Sequence, residues 1–128
     1  CLSGDLGAGK TTLVQGMAQG FGSLDAVSSP TFVIVNQYRR PDGAVLSHLD
    51  AYRLQNAYEG EDLDLYLMLE RGALVVEWPE RIEAALPADR LWVKLRYMAE
   101  EQRGMQFNTH GKRYETLLAA FRRQVLGG

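Results

Sequence analysis

Gly4-Asp5-Leu6-Gly7-Ala8-Gly9-Lys10-Thr11 decides how this chain is read. It fits the phosphate-loop pattern G-x-x-x-x-G-K-[ST]. Glycines let the backbone curl so that successive N–H groups converge on phosphate oxygens. The loop runs into a helix, whose N-terminal partial positive charge favours an anion. Lys10 then supplies a point charge to the β- and γ-phosphates, and Thr11 a hydroxyl to Mg²⁺. Asp5, Leu6, Gly7, Ala8, Gly9 and Thr12 complete the same nucleotide-binding stretch. With 13 Gly, 3 Lys and 10 Ser plus Thr in 128 residues, roughly 0.002 chance matches are expected. A glycine-rich turn of purely structural use is therefore the poorer explanation.

A phosphate loop needs a strand before it and a helix after it. Leu2 reads as the tail of that strand. Leu13, Val14, Met17, Ala18 and Phe21 recur on one helical face over Lys10–Phe21, with Gly22 as the stop. Gly16 and Gly20 inside that helix suggest close packing. Further on, Phe32–Tyr38 and Val45–Asp50 read as a hairpin around the Pro41-Asp42-Gly43 turn. Asp62–Glu70 has helical spacing and Gly72 as its stop. Leu74-Val75-Val76 has the continuous apolar character of a buried central strand, ended by Trp78-Pro79. Glu80–Leu86 is a short helix. Leu91–Tyr97 and Met105–Thr109 form a second strand pair, and Tyr114, Leu117, Leu118, Phe121 and Val125 mark an amphipathic C-terminal helix. The fold expected is α/β: a three-layer, P-loop NTPase-like domain spanning residues 1–128 with a mixed central sheet. Only Cys1 to Ser3 precede Gly4, so the expectation is that the first strand is truncated and the N-terminal part of the domain is missing.

Composition narrows the class. The 128 residues carry 46% hydrophobic and 23% charged side chains, near the globular average. A net charge of −2 disfavours a strongly basic nucleic-acid binder. One cysteine rules out an internal disulfide framework, and two histidines argue against a Cys/His zinc site. No apolar run approaches the ~20 residues of a membrane span, and no signal peptide is visible.

Hydrolysis needs an acidic group near the metal and a group that orients water. Glu77 and Asp50 each end a strand-like run, and carboxyl ends of strands are where open α/β sheets bind ligands. Each has a plainer alternative. Glu77 would otherwise be a surface carboxylate, and Asp50 a helix cap or an Arg53 partner. Thr31, in Ser29-Pro30-Thr31-Phe32, sits where a γ-phosphate-sensing switch occurs, or in a simple turn. Trp78 is a core aromatic, a lid or a partner contact. His48 alternates with Asp50 on one strand face and reads as a neighbour of the site, not a catalyst.

Four motifs together resemble the bacterial TsaE (YjeE) family: Gly4–Leu13, Ser29-Pro30-Thr31-Phe32, His48-Leu49-Asp50-Ala51-Tyr52-Arg53-Leu54 and Glu77-Trp78-Pro79-Glu80. The resemblance implies a small cytoplasmic ATPase of tRNA threonylcarbamoyladenosine modification. It implies ATP and Mg²⁺ as cofactors and the TsaD and TsaB proteins as partners, with tRNA reached through their complex. Such a protein does not transfer the threonylcarbamoyl group; its ATP cycle regulates or resets the TsaD–TsaB complex. By position, Lys10 and the loop amides match the family's phosphate cradle, and Thr11 and Glu77 its magnesium site. Asp50 matches an acidic residue of hydrolysis, Thr31 the switch loop, Trp78 a neighbour of the nucleotide, and Arg103 a segment beside it. The helix and strand that precede the loop in the family have no counterpart here, so adenine recognition is unassigned.

A small-molecule or nucleoside kinase is the competing reading, with Arg39-Arg40 as a stand-in for an arginine lid. A nucleotide-dependent binding module without useful turnover is another. No guanine-selecting N/T-K-x-D motif is present. Residues 1–98 hold nine basic and thirteen acidic groups, and residues 99–128 five and three. Lys112, Arg113, Arg122 and Arg123 read as a solvated helix face, with a tRNA contact as the sharper alternative. Glu59, Glu61, Asp62 and Asp64 gather where a helix N-terminus favours them.

Overall fold

The computed structural model describes residues 1–5, 9–27, 35–56, 63–100 and 102–127. Its centre is one six-stranded mixed sheet in the order β2-β3-β4-β1-β5-β6. The strands are β1 (Leu2–Ser3), β2 (Val35–Arg39), β3 (Val45–Asp50), β4 (Gly72–Glu77), β5 (Arg90–Ala99) and β6 (Gln102–His110). β3, β4, β1 and β5 run parallel, and β2 and β6 close the two edges antiparallel. The helices are α1 (Lys10–Phe21), α2 (Leu65–Arg71) and α3 (Lys112–Leu126), with a 3₁₀ segment at Pro79–Ala85. The expected α/β architecture is therefore present.

Alternation along the strands sends side chains to two cores. Leu2, Leu46, Val75, Val93 and Leu95 face α1 and pack on its Val14 and Ala18. Leu49, Val76, Ile82, Leu65 and Leu86 fill the opposite face beneath α2 and the 3₁₀ segment. Two cores on one sheet make three layers. Val14, Leu49 and Ile82 are fully buried, and each such side chain contributes roughly 1.5–3 kcal/mol of burial.

The first helix ends as its sequence says. Gly22 is left-handed at φ 90°, and the N–H groups of Gly22 and Ser23 return to the Gln19 and Ala18 carbonyls. Its apolar face is narrower than the pattern implied, because Met17 is exposed. The packing role expected of Gly16 and Gly20 is corrected: a Cβ at either would meet nothing within 4 Å. Close approach occurs instead at Gly72, where a Cβ would lie 2.1 Å from the Val45 carbonyl oxygen. There the turn out of α2 meets the start of β3.

Some boundaries differ from the sequence reading. The second helix begins at Leu65 rather than Asp62, because Asp64 is its N-cap and accepts the Leu67 N–H at 3.1 Å. Glu59, Glu61 and Asp62 lie outside the described residues. β5 and β6 are longer than their apolar cores suggest, since edge pairing continues through polar residues to Ala99 and Gln102. The described part of β2 is Val35–Arg39, and the expected start at Phe32 lies outside the described residues.

Candidate functional site

Three parallel strands end side by side. Leu2 and Asp50 are both in register with Glu77, from opposite sides of β4. The glycine loop leaving β1, the Glu77 carboxylate and the Asp50 carboxylate therefore share one carboxyl edge of the sheet. That edge is the ligand-binding side of open α/β folds.

Lys10 opens α1 just after Gly9, which takes a left-handed φ of 100°. Only 6% of Lys10 is exposed. Its Nζ donates to the Gly4 carbonyl at 2.7 Å and stands 3.7 Å above the Trp78 ring, a close cation–π contact. Burial lowers the ammonium from its ordinary pKa, and the carboxylates of Glu77, Glu80, Asp50 and Asp5 pull it back up. Trp78 reaches this position through a left-handed backbone at φ 57°, uncommon for a bulky residue. Its N–H donates to the Leu2 carbonyl at 3.3 Å, and the Tyr52 ring lies 5.0 Å away, centroid to centroid. Trp78 is thus part of the site's wall and also packs on the core face lined by Leu49 and Ile82.

Glu77 is buried, which removes its plainer reading as a surface carboxylate. Its Oε2 is 2.5 Å from His48 Nε2, and His48 Nδ1 is 2.9 Å from the Tyr38 hydroxyl. Tyr38 and His48 are themselves buried. A row of three polar side chains therefore crosses β2, β3 and β4 on the α1 side of the sheet. His48 is the site residue that the sequence reading undervalued. Its alternation with Asp50 gave the correct face, but its bond to Glu77 depends on the β3–β4 register.

Asp50 is half-buried and caps the turn that follows, its Oδ1 accepting the Tyr52 N–H at 2.9 Å. The helix-cap alternative is corrected to a turn cap, since residues 51–56 form no helix. The Arg53 pairing is corrected, since no Asp50–Arg53 ion pair occurs among the described ion pairs. Thr11 is half-buried and Thr12 exposed, both in the first turn of α1. Leu6, Gly7, Ala8 and Thr31 lie outside the described residues.

Arg103 makes its described contacts within the β5–β6 hairpin, which extends beyond the carboxyl end of β1. It lies near the tip of the β5–β6 hairpin, where it donates to the Ala99 and Gln102 carbonyls and covers the Tyr97 ring at 4.6 Å. The lid suggested by Arg39-Arg40 is also otherwise engaged. Arg39 is paired with Asp25 and Arg40 with Asp42, and Arg40 lies over Phe21.

The donor set suits one kind of metal. Among the described residues no three or more His, Cys, Asp and Glu side chains gather as a metal cage. Mg²⁺ in phosphate-transfer sites needs no cage: one or two carboxylates, a hydroxyl and phosphate oxygens suffice. Glu77 and Thr11 are groups of that type. No described helix is long and apolar enough to cross a membrane.

Comparison with known proteins is specific. The family described as "Threonylcarbamoyl adenosine biosynthesis protein TsaE" matches residues 1–105. A "tRNA threonylcarbamoyladenosine biosynthesis protein TsaE" of Bacillus subtilis is 42% identical over 117 residues, 91% of this chain and 72% of the relative. A protein of the same description from Streptomyces coelicolor is 44% identical over 121 residues, 90% of this chain and 82% of the relative. Among solved structures, Bacillus subtilis YdiB superposes with a TM-score of 0.75 at 34% identity, covering 96% of this chain and 75% of that one.

Proposed function

This chain belongs to the TsaE family of threonylcarbamoyl adenosine biosynthesis proteins, and from that premise we propose that it is a Mg²⁺-dependent ATPase. It acts in the cytoplasm as a nucleotide switch on a TsaD–TsaB complex and reaches tRNA through that complex. The observation that carries the ATPase reading is the convergence of the loop, Glu77 and Asp50 at one strand edge beneath the Lys10 ammonium.

Each residue then has a physical task. Lys10 exchanges the Gly4 carbonyl and the Trp78 face for β- and γ-phosphate oxygens. The N-terminus of α1 adds its dipole to the same anion. Thr11 and Glu77 hold Mg²⁺, directly or through water. When bound, the ion offsets charge on the β- and γ-phosphates. Asp50, in register with Glu77 and open on one side, orients or deprotonates the attacking water. Catalysis of this kind is positioning plus charge stabilisation. With Arg53 as the nearest cis candidate for an arginine finger, a low basal rate that partners raise is the expected behaviour. Trp78 and Thr31 are the positions through which nucleotide state reaches a partner.

Phosphate release from ATP, measured with and without TsaD–TsaB, tests this reading. Stimulation by the complex is expected, together with a pull-down of TsaD and TsaB that differs between ATP, ADP and no nucleotide. ADP formation that instead requires a small acceptor would assign the site to a kinase. Nucleotide-insensitive or absent capture would remove the switch.

A further inference from the structure

We propose that His48 is a positioning residue for the Glu77 carboxylate, and that Tyr38 holds the His48 ring in the required orientation. The inference rests on the reading of Glu77 as a magnesium-side carboxylate. His48 is fully buried on β3, between β2 and β4. A buried imidazole is costly unless both ring nitrogens have partners. Here both do, at 2.9 Å to the Tyr38 hydroxyl and 2.5 Å to Glu77 Oε2.

With a neutral ring and an ionised Glu77, the Tyr38 hydroxyl donates to Nδ1, and the Nε2–H donates to the carboxylate. That chain of bonds corresponds to the Nε2–H tautomer. Tyr38 pairs across β2–β3 with Leu46, and His48 across β3–β4 with Val75, so each bond runs diagonally to the next strand. Three strands thus fix one carboxylate rotamer. The bond engages Oε2, one of the two carboxylate oxygens. Outer residues that orient a ligating group in this way typically change metal affinity 10–100-fold when lost.

The test compares the full chain with His48→Leu, His48→Gln and Tyr38→Phe. Affinity for a non-hydrolysable ATP analogue is measured by calorimetry in EDTA and in Mg²⁺. In His48→Leu, affinity in EDTA should stay within about twofold of the parent, while the gain from Mg²⁺ shrinks about 10-fold or more. His48→Gln, whose amide can still donate to Glu77, should recover part of that gain. Tyr38→Phe removes one hydroxyl, keeps the ring, and should reduce the Mg²⁺ gain with the fold intact; it decides the matter if His48→Leu does not fold. The ¹⁵N spectrum of the nucleotide-free protein should show His48 protonated at Nε2 and accepting at Nδ1.

An unchanged Mg²⁺ gain in folded Tyr38→Phe and His48→Leu overturns the proposal. So does an equal loss of affinity with and without Mg²⁺, which marks a structural role, and so does the opposite tautomer. If the parent chain itself gains nothing from Mg²⁺, the magnesium reading of the site falls, and the positioning role falls with it.

Discussion

At the carboxyl edge of β3, β4 and β1, polar groups are inside: Lys10 and Glu77 are each 6% exposed and His48 is fully buried. On the β5–β6 hairpin and α3 the arrangement is inverted. Tyr97, Met98, Met105, Leu117 and Val125 are each at least half exposed, and no described residue of α3 is buried. The two regions are held by different means. At the edge, each charge is tied by a hydrogen bond, a ring face or an opposing charge, as burial of polar groups demands. On the hairpin, backbone pairing runs through nine residue pairs, and the side chains that anchor it, Val93 and Leu95, are apolar. Substitutions at the edge should therefore cost function or fold steeply, and those on the outer region only slightly.

The steepest effect is expected at Asp50. Asp50→Asn keeps an acceptor for the Tyr52 N–H but removes the charge. ATP hydrolysis should fall about 10²–10⁴-fold, the usual worth of a general base, with nucleotide affinity nearly unchanged. A loss of affinity in place of turnover would give Asp50 a structural role. Next is Gly72→Ala. A methyl group 2.1 Å from the Val45 carbonyl oxygen must push the start of β3 away from the start of β4, and urea unfolding should show a loss of about 3 kcal/mol or more.

Much of this contrast was readable in the order of residues. The loop, its helix and Gly22 follow from local chemistry: glycines, a periodic apolar face and a left-handed stop. Val45–Asp50 reads as a strand and emerges with the bounds its sequence suggests. Glu77 and Asp50 were recognisable as strand ends, but their side-by-side register was not, because register is a property of two strands. His48 was hidden for the same reason, since its partners come from β2 and β4. Arg103 was placed beside the nucleotide by resemblance. In the fold its guanidinium is occupied by the hairpin's own carbonyls and Tyr97.

The outer region offers gentler tests. Phe121 lies 5.8 Å from Phe107, centroid to centroid, and is 44% exposed. Phe121→Ala should cost about 1 kcal/mol, the scale of an aromatic pair, and leave nucleotide binding unaltered. A change in binding would tie α3 to the site and erase the contrast. Smaller still, and of opposite sign, are Gly16→Ala and Gly20→Ala. Both positions are helical with open space around a Cβ, so each change should stabilise by roughly 0.5–1 kcal/mol in thermal unfolding. A loss of stability would show that these glycines do face a close neighbour.

Everything proposed for the edge depends on Lys10 meeting phosphate. Titration of Mg²⁺–ATP into the parent chain and Lys10→Ala, followed by calorimetry, puts that to the question. Loss of a charge-assisted hydrogen bond costs about 1.5–3 kcal/mol, so Lys10→Ala should bind at least 10-fold more weakly while its unfolding transition persists. Equal affinity in the two proteins would contradict a phosphate site at this strand edge.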